Sequence, residues 1–210
     1  MAAVARNPWL AIPLSDYEAH MALPHVGQAE LLANVLAEAV RVHAPRSVAV
    51  LGCAGGNGFD RVPPGTRLVG IDVNPGYVAV ARSRHGARAN LELFVGDVTA
   101  DELPFAPVEL AYAGLLFEYV EPAVALRRLA TRLLPGAVLV AVLQLPSAAH
   151  AEVTPSPYTS LAALAPSMRL VSPEAFTRTA MAEAYTPVGA DVATASGGKR
   201  FAVQTHRRGE

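Results

Sequence analysis

The chain has 210 residues, 52% of them hydrophobic and 17% charged, and a formal net charge of -1 at pH 7. This length suits one domain with a sizeable core, so we expect a single domain over residues 1–210. The balanced charge disfavours a nucleic-acid partner, because such proteins usually carry a basic face. No apolar run approaches the roughly 18 residues of a membrane-spanning helix, which disfavours a membrane partner.

Cysteine, histidine and lysine are used sparingly. Cys53 is the only cysteine, so an internal disulfide and a cysteine-based zinc site are excluded, and a reducing, cytoplasmic setting is expected. His20 and His25 are separated by Pro24 and do not form a metal-binding pair on one element, so we expect no metal. Lys199 is the only lysine, which we attribute to compositional bias.

Residues 1–46 are predicted to form an N-terminal cap and a first helix. In the cap, Tyr17, His20 and Met21 fall within two helical turns and can share one face. The helix follows Gly27, where apolar residues recur at helical spacing until Pro45 ends the pattern.

After residue 46, short apolar runs alternate with helical patterns and end in a pair of β-like stretches. Such alternation predicts a parallel sheet with right-handed crossovers. The Ser196-Gly197-Gly198 turn predicts that the last two stretches form a hairpin. We therefore expect a doubly wound α/β fold with a mostly parallel seven-stranded sheet and a C-terminal antiparallel hairpin. The predicted strands are 47–51, 67–71, 91–95, 109–113, 138–145, 188–194 and 200–205, and helices are predicted to follow Asn74, Pro122 and Ser172.

The glycine-rich segment 52–58 follows the first strand directly. Glycine permits positive φ and lets a ligand lie against the main chain, and such a turn lies at the sheet edge where ligands bind. The dinucleotide pattern G-x-G-x-x-G fails here, because Ala54 and Asn57 stand where glycines are required after Gly52. An NAD(P)-dependent oxidoreductase is therefore only an alternative.

The segment resembles the first motif of class I S-adenosylmethionine-dependent methyltransferases, G-x-G-x-G. Gly52, Ala54 and Gly56 stand at its three positions, and Val50 stands where an acidic residue is usual. Further resemblance follows at the ends of later strands. It is carried by Asp72, which lies 20 residues after Gly52, by Gly96-Asp97-Val98, by residues 115–122 and by Leu133-Leu134-Pro135-Gly136.

The resemblance implies a Rossmann-like methyltransferase fold and S-adenosyl-L-methionine as cofactor. Asp72 would bind the ribose hydroxyls, as a carboxylate can accept two hydrogen bonds, and Asp97 would contact the adenine amino group. A non-catalytic S-adenosylmethionine-binding module is a further alternative, because Val50 and Ala54 depart from the motif. The candidate cofactor-binding residues are Gly52, Cys53, Ala54, Gly56, Asn57, Asp72, Val73, Asp97 and Val98.

The acceptor side is less defined. The family's Asn/Asp-Pro-Pro-Tyr/Phe motif is absent after the fourth strand, which with the charge balance favours a small-molecule acceptor. Tyr17 and His20 are the candidate catalytic residues, and His150 is the second choice as a base. The long segment 147–171 is a candidate lid, because long irregular loops are often functional. Within it, His150 and Tyr158 are the candidate substrate-binding residues.

Overall fold

The computed structural model describes residues 7–100 and 102–209, so the first six residues of the predicted cap lie outside the described residues. The helices are α1 (Leu14–Ala22), α2 (Gln28–His43), α3 (Pro75–His85), α4 (Pro122–Ala130) and α5 (Pro173–Ala182). The strands are β1 (Ser47–Leu51), β2 (Arg67–Asp72), β3 (Leu91–Val95), β4 (Val108–Gly114), β5 (Leu133–Gln144), β6 (Tyr185–Thr194) and β7 (Arg200–Arg208). Short 3-10 helices cover Pro8–Leu10, Phe59–Arg61 and Thr159–Leu164.

All seven strands belong to one sheet, in the order β3-β2-β1-β4-β5-β7-β6. The strands β1 to β5 pair in parallel, whereas β7 is antiparallel to both β5 and β6. The predicted fold class and the C-terminal hairpin are therefore confirmed. The order reverses between β1 and β4, which creates the crevice where doubly wound sheets bind ligands.

The core forms two layers because the central strands are buried on both faces. Along β1, Val48 and Val50 join the apolar layer under α2 and α3, while Ala49 and Leu51 join the layer under α4 and α5. This alternation follows from the period of two in a strand, and covering both faces explains why the parallel strands read as unbroken apolar runs.

Several strand boundaries differ from the sequence prediction, most of all the start of the fifth strand. The sequence predicts that strand over 138–145, after Leu133-Leu134-Pro135-Gly136, but β5 begins at Leu133. Leu133 pairs with Val108, and the register then shifts before Leu110. Proline has no N–H for the ladder and Gly136 has φ of 75°, so the strand starts irregularly instead of after a turn.

The N-terminal segment and residues 147–171 meet above the carboxyl ends of the strands. Ile12, Leu161 and Leu164 form a small apolar cluster there, and the Oγ of Ser160 donates to Asp16 Oδ2 over 2.6 Å. Within the described residues, no helix has the length and apolar character needed to cross a membrane. The same residues hold no group of three His, Cys, Asp or Glu side chains suited to a metal ion.

Candidate active site

A cavity of about 410 Å³ lies beneath this cap, within the size range of small-molecule sites. We call its two ends the β2 side and the β5 side. The β2 side is lined by Gly52, Ala54, Asp72, Val73, Asp97 and Val98, and the β5 side by His20, Gln144, Leu161, Leu164, Met168 and Lys199.

The turn after β1 is fixed by main-chain geometry. Gly52 has φ of 69° and Ala54 has φ of 46°, so both occupy the left-handed region that favours glycine. The amide of Gly52 donates to the carbonyl of Ile71 over 2.8 Å. Together these features hold the chain tightly against the end of β2 and leave its main chain open to a ligand.

Asp72 lies at the end of β2 and is only 8% exposed. Its Oδ2 accepts from the amide of Ala54 and its Oδ1 from the amide of Asn74, each over 2.9 Å. Burial raises the pKa of this carboxyl, while the two amides act in the opposite direction. Each carboxylate oxygen has a second lone pair, so the side chain can shape the turn and still accept from a diol.

Asp97 follows β3 on the same side and is exposed to the cavity. Its Oδ1 accepts from both the amide and the hydroxyl of Thr99, over 2.8 and 2.7 Å, which fixes the loop. Val73 and Val98 supply apolar walls beside it. The arrangement offers one hydrogen-bond acceptor beside a flat apolar surface, which suits a planar base with an amino group.

Three predicted cofactor residues lie outside this cavity. Cys53, Gly56 and Asn57 line an adjoining cavity of about 350 Å³, which shares Gly52 and Ala54 with the first. The side chain of Cys53 is buried in the core, where burial raises the pKa of its thiol. Asn57 donates to the carbonyl of Ala29 on α2 over 2.9 Å.

Tyr17 lines the cavity within a group of aromatic side chains. Its ring packs edge-on against Trp9 at 5.4 Å and stacks with Tyr77 at 6.4 Å. Burial and the Asp72 carboxylate raise the pKa of Tyr17 above its ordinary value, so the phenol stays protonated at neutral pH. Tyr17 can therefore pack and donate a hydrogen bond, but it is a poor base.

His20 also lines the cavity and is 6% exposed. Its Nδ1 is buried without a hydrogen-bond partner. Burial lowers the pKa of the imidazole from its ordinary 6.5, and the nearby Lys199 ammonium lowers it further. A neutral imidazole at neutral pH can accept a proton, which is the property required of a base.

The sequence analysis did not identify Lys199 and Gln144, two polar residues that lie together on the β5 side. Lys199 is 4% exposed, and its Nζ donates to the carbonyls of Ala151 and Glu152, each over 2.9 Å. Gln144 at the end of β5 lies beside it, with Oε1 3.5 Å from Nζ. The signal was present, because Lys199 is the only lysine in the chain.

The candidate lid contributes to the cavity, but not through the residues chosen as substrate contacts. Leu161, Leu164 and Met168 line the β5 side. His150 does not, because its ring nitrogens face Ser147 Oγ at 3.1 Å and the Gly197 carbonyl at 3.0 Å. Tyr158 packs against the outer apolar cluster instead. The placement of His150 also removes it as a second candidate base.

The comparisons with known proteins point to one family. Residues 49–141 match the family model described as a methyltransferase domain. No curated protein matches the chain in sequence. The matched residues contain the glycine-rich turn, Asp72 and Asp97, and so cover the whole β2 side of the cavity.

Solved structures share the fold at low sequence identity. The N-methyltransferase NodS from Bradyrhizobium japonicum WM9, in complex with S-adenosyl-L-homocysteine, is 18% identical, with a TM-score of 0.65 over 99% of this chain and 94% of that chain. The geranyl diphosphate C-methyltransferase from Streptomyces coelicolor A3(2) is 13% identical, with a TM-score of 0.63 over 83% and 77%. The [4+2]-cyclase SpnF is 16% identical, with a TM-score of 0.66 over 85% and 80%.

The structural likeness shows the fold, and the family model adds the methyltransferase domain at the residues that build the β2 side. The match favours methyl transfer over both alternatives, the nicotinamide-dependent oxidoreductase and the non-catalytic module. The left-handed turn and the Asp72 carboxylate, whose oxygens retain lone pairs, fit S-adenosylmethionine as the cofactor. Residues 49–141 thus match a methyltransferase domain, and the chain shares its fold with S-adenosylmethionine-dependent methyltransferases.

Proposed function

We propose that this enzyme transfers a methyl group by in-line displacement to a small-molecule acceptor bound on the β5 side of the cavity. The observation that carries the proposal is the continuity of the cavity from Asp72 to Lys199 beneath the cap. Such a site suits a small ligand better than a chain or a duplex. A structural neighbour described as a geranyl diphosphate C-methyltransferase supports this class of acceptor. The cytoplasmic location stays a prediction from the cysteine content.

The β2 side is proposed to hold the cofactor. S-Adenosylmethionine supplies an electrophilic methyl group on a positively charged sulfur. Asp72 accepts from the ribose hydroxyls, Asp97 accepts from the adenine amino group, and Val98 packs against the base. Gly52 and Ala54 present main chain to the amino-acid part, and Cys53, Gly56 and Asn57 support the turn from the adjoining cavity.

The cap is proposed to place the acceptor and to exclude water. Aligning the acceptor with the methyl group is the main source of acceleration in such a displacement. Leu161, Leu164 and Met168 from the candidate lid form the apolar wall for the acceptor. Residues 1–210 act as one methyltransferase domain in this proposal.

His20 is proposed to take the proton when the attacking atom must lose one. The imidazole is neutral at pH 7 and lines the cavity, whereas the Tyr17 phenol stays protonated. Tyr17 is proposed to pack against the cofactor.

Replacing His20 with Asn should lower kcat by about 10²–10⁴-fold with little change in KM. Wild-type activity should fall as the pH drops below the lowered pKa of His20. An unchanged kcat would contradict the proposed role of His20 as the base.

Screening methyl release across a metabolite library tests the proposed function. The assay should follow the methyl group itself, because one structural neighbour is described as a [4+2]-cyclase. Transfer to at least one small molecule, lost in the Asp72→Ala variant, is the expected result. Transfer only to protein or nucleic acid would contradict the proposal.

A further inference from the structure

The ammonium of Lys199 is buried, and the Glu152 carboxylate is close enough to raise its pKa without forming an ion pair. Among residues 7–100 and 102–209, no carboxylate forms an ion pair with it. Its Nζ is held by main-chain carbonyls, and its pKa is lowered to about 8, because burial outweighs the effect of the Glu152 carboxylate. A buried charge without an ion-pair partner is costly, so its position in a ligand cavity calls for an explanation.

One of the three N–H groups of the Lys199 ammonium is not engaged in a strong hydrogen bond. Two of its three N–H groups are engaged by the carbonyls of Ala151 and Glu152 over 2.9 Å. The third meets only Gln144 Oε1 at 3.5 Å, beyond the usual length of a strong hydrogen bond. A ligand oxygen with a negative charge would compete well for that proton, since charge-assisted hydrogen bonds are the stronger ones.

The surroundings allow an anion at this position. The buried carboxyl of Glu118 accepts from the main-chain amide of Gln144 over 2.7 Å, and burial raises its pKa to about 7, which reduces its negative charge near neutral pH. The Glu152 side chain is exposed, while the neighbouring His20 is neutral at pH 7. Next to Lys199 and Gln144, the side chains of Leu161, Leu164 and Met168 give the β5 side an apolar wall, while Glu152 and Thr154 also line the cavity.

We infer that the acceptor is a small molecule with an apolar body and a carboxylate, and that Lys199 binds that carboxylate. The inference rests on the proposed function, because it assigns an acceptor class to the same cavity. A carboxylate is favoured over a phosphate because one negative charge balances the single ammonium, whereas a phosphate monoester carries nearly two at pH 7. Lys199 acts here as a specificity-determining residue.

The single lysine provides a direct readout. Protein grown with ¹³C-lysine gives one side-chain signal, from Lys199, whose pH titration reports the pKa of the ammonium. With S-adenosylhomocysteine bound, the titration is repeated with benzoate, with benzamide as the neutral match and with phenyl phosphate. Benzoate should raise the pKa of Lys199 and benzamide should leave it unchanged, because only an anion stabilises the charged form.

Two variants complete the test. Lys199→Met should weaken benzoate binding about ten- to a hundredfold and leave benzamide binding unchanged. Arg200→Met is the matched control, since it removes a charge from the adjacent exposed residue and should not affect benzoate. Equal responses to benzoate and benzamide, or no response to either, would overturn the inference. A larger pKa rise with phenyl phosphate would overturn the carboxylate assignment.

This experiment is independent of methyl transfer. Binding of S-adenosylhomocysteine is measured by calorimetry, and its absence would count against the cofactor assignment alone. The Lys199 titration does not use turnover, so it gives its answer on the wild-type protein even if Lys199→Met fails to fold.

Discussion

The two sides of the cavity are held together by different kinds of contact. On the β2 side, main-chain amides donate to the Asp72 carboxylate and to the carbonyl of Ile71, and every donor lies in a short turn after a strand. On the β5 side, side chains from segments far apart in sequence meet: Ser160 donates to Asp16, and Lys199 to Ala151 and Glu152. The first kind of contact gives a cradle of fixed shape. The second kind of contact changes when the side chains are substituted. This suits the side of the cavity that is proposed to determine which acceptor binds.

The largest expected effect is on the β2 side. Asp72→Ala should weaken S-adenosylhomocysteine binding by about 1.5–3 kcal/mol, or ten- to over a hundredfold, because hydrogen bonds to a charged acceptor are lost. Calorimetry measures this directly. Asp191→Ala on the exposed hairpin is the control carboxylate and should bind as the wild type does. If the folded Asp72→Ala protein binds S-adenosylhomocysteine with wild-type affinity, Asp72 does not contact the cofactor.

A medium effect is expected in the cap. Ser160→Ala removes the hydroxyl that donates to Asp16 over 2.6 Å, at a cost of about 1 kcal/mol. Amide exchange in α1 and in residues 159–164 should become faster, while exchange in β1 and β2 should not change. Ser156→Ala is the matched control, since Ser156 Oγ accepts only from the nearby Tyr158 amide. Equal effects of the two variants would show that the Ser160 contact does not join α1 to the candidate lid.

The smallest effect concerns strain in the glycine-rich turn. Ala54 has φ of 46°, and Ala54→Gly should stabilise the protein by about 0.5–1 kcal/mol, because relief of the left-handed conformation exceeds the added entropy of glycine. Ala44→Gly is a matched control, because Ala44 has φ of 43° at the end of α2, away from the cavity. Thermal unfolding should give similar gains for both, and S-adenosylhomocysteine affinity should stay the same. A loss of affinity for Ala54→Gly alone would show that its Cβ contacts the cofactor.

The difference between the two sides also decides what the sequence could predict. The strands, the turn after β1 and the positions of Asp72 and Asp97 were predictable, because each depends on residues adjacent in sequence. The places of Lys199 and Gln144 were not, because they depend on how β7 pairs with β5. His150 and Tyr158 were chosen by residue type within the correct segment, and packing directs both away from the cavity.

The outer edge of the sheet has a consequence for behaviour in solution. The edge strand β6 exposes Val188 and Val192, at 47% and 46%, and such strands invite pairing between molecules. Here Pro187 offers no N–H, and the register shifts between Pro187 and Gly189. Farther along, the amide of Val192 donates to the carboxylate of Asp191 over 2.7 Å. These interruptions leave no continuous row of donors and acceptors, so the edge is protected against aggregation by strand addition.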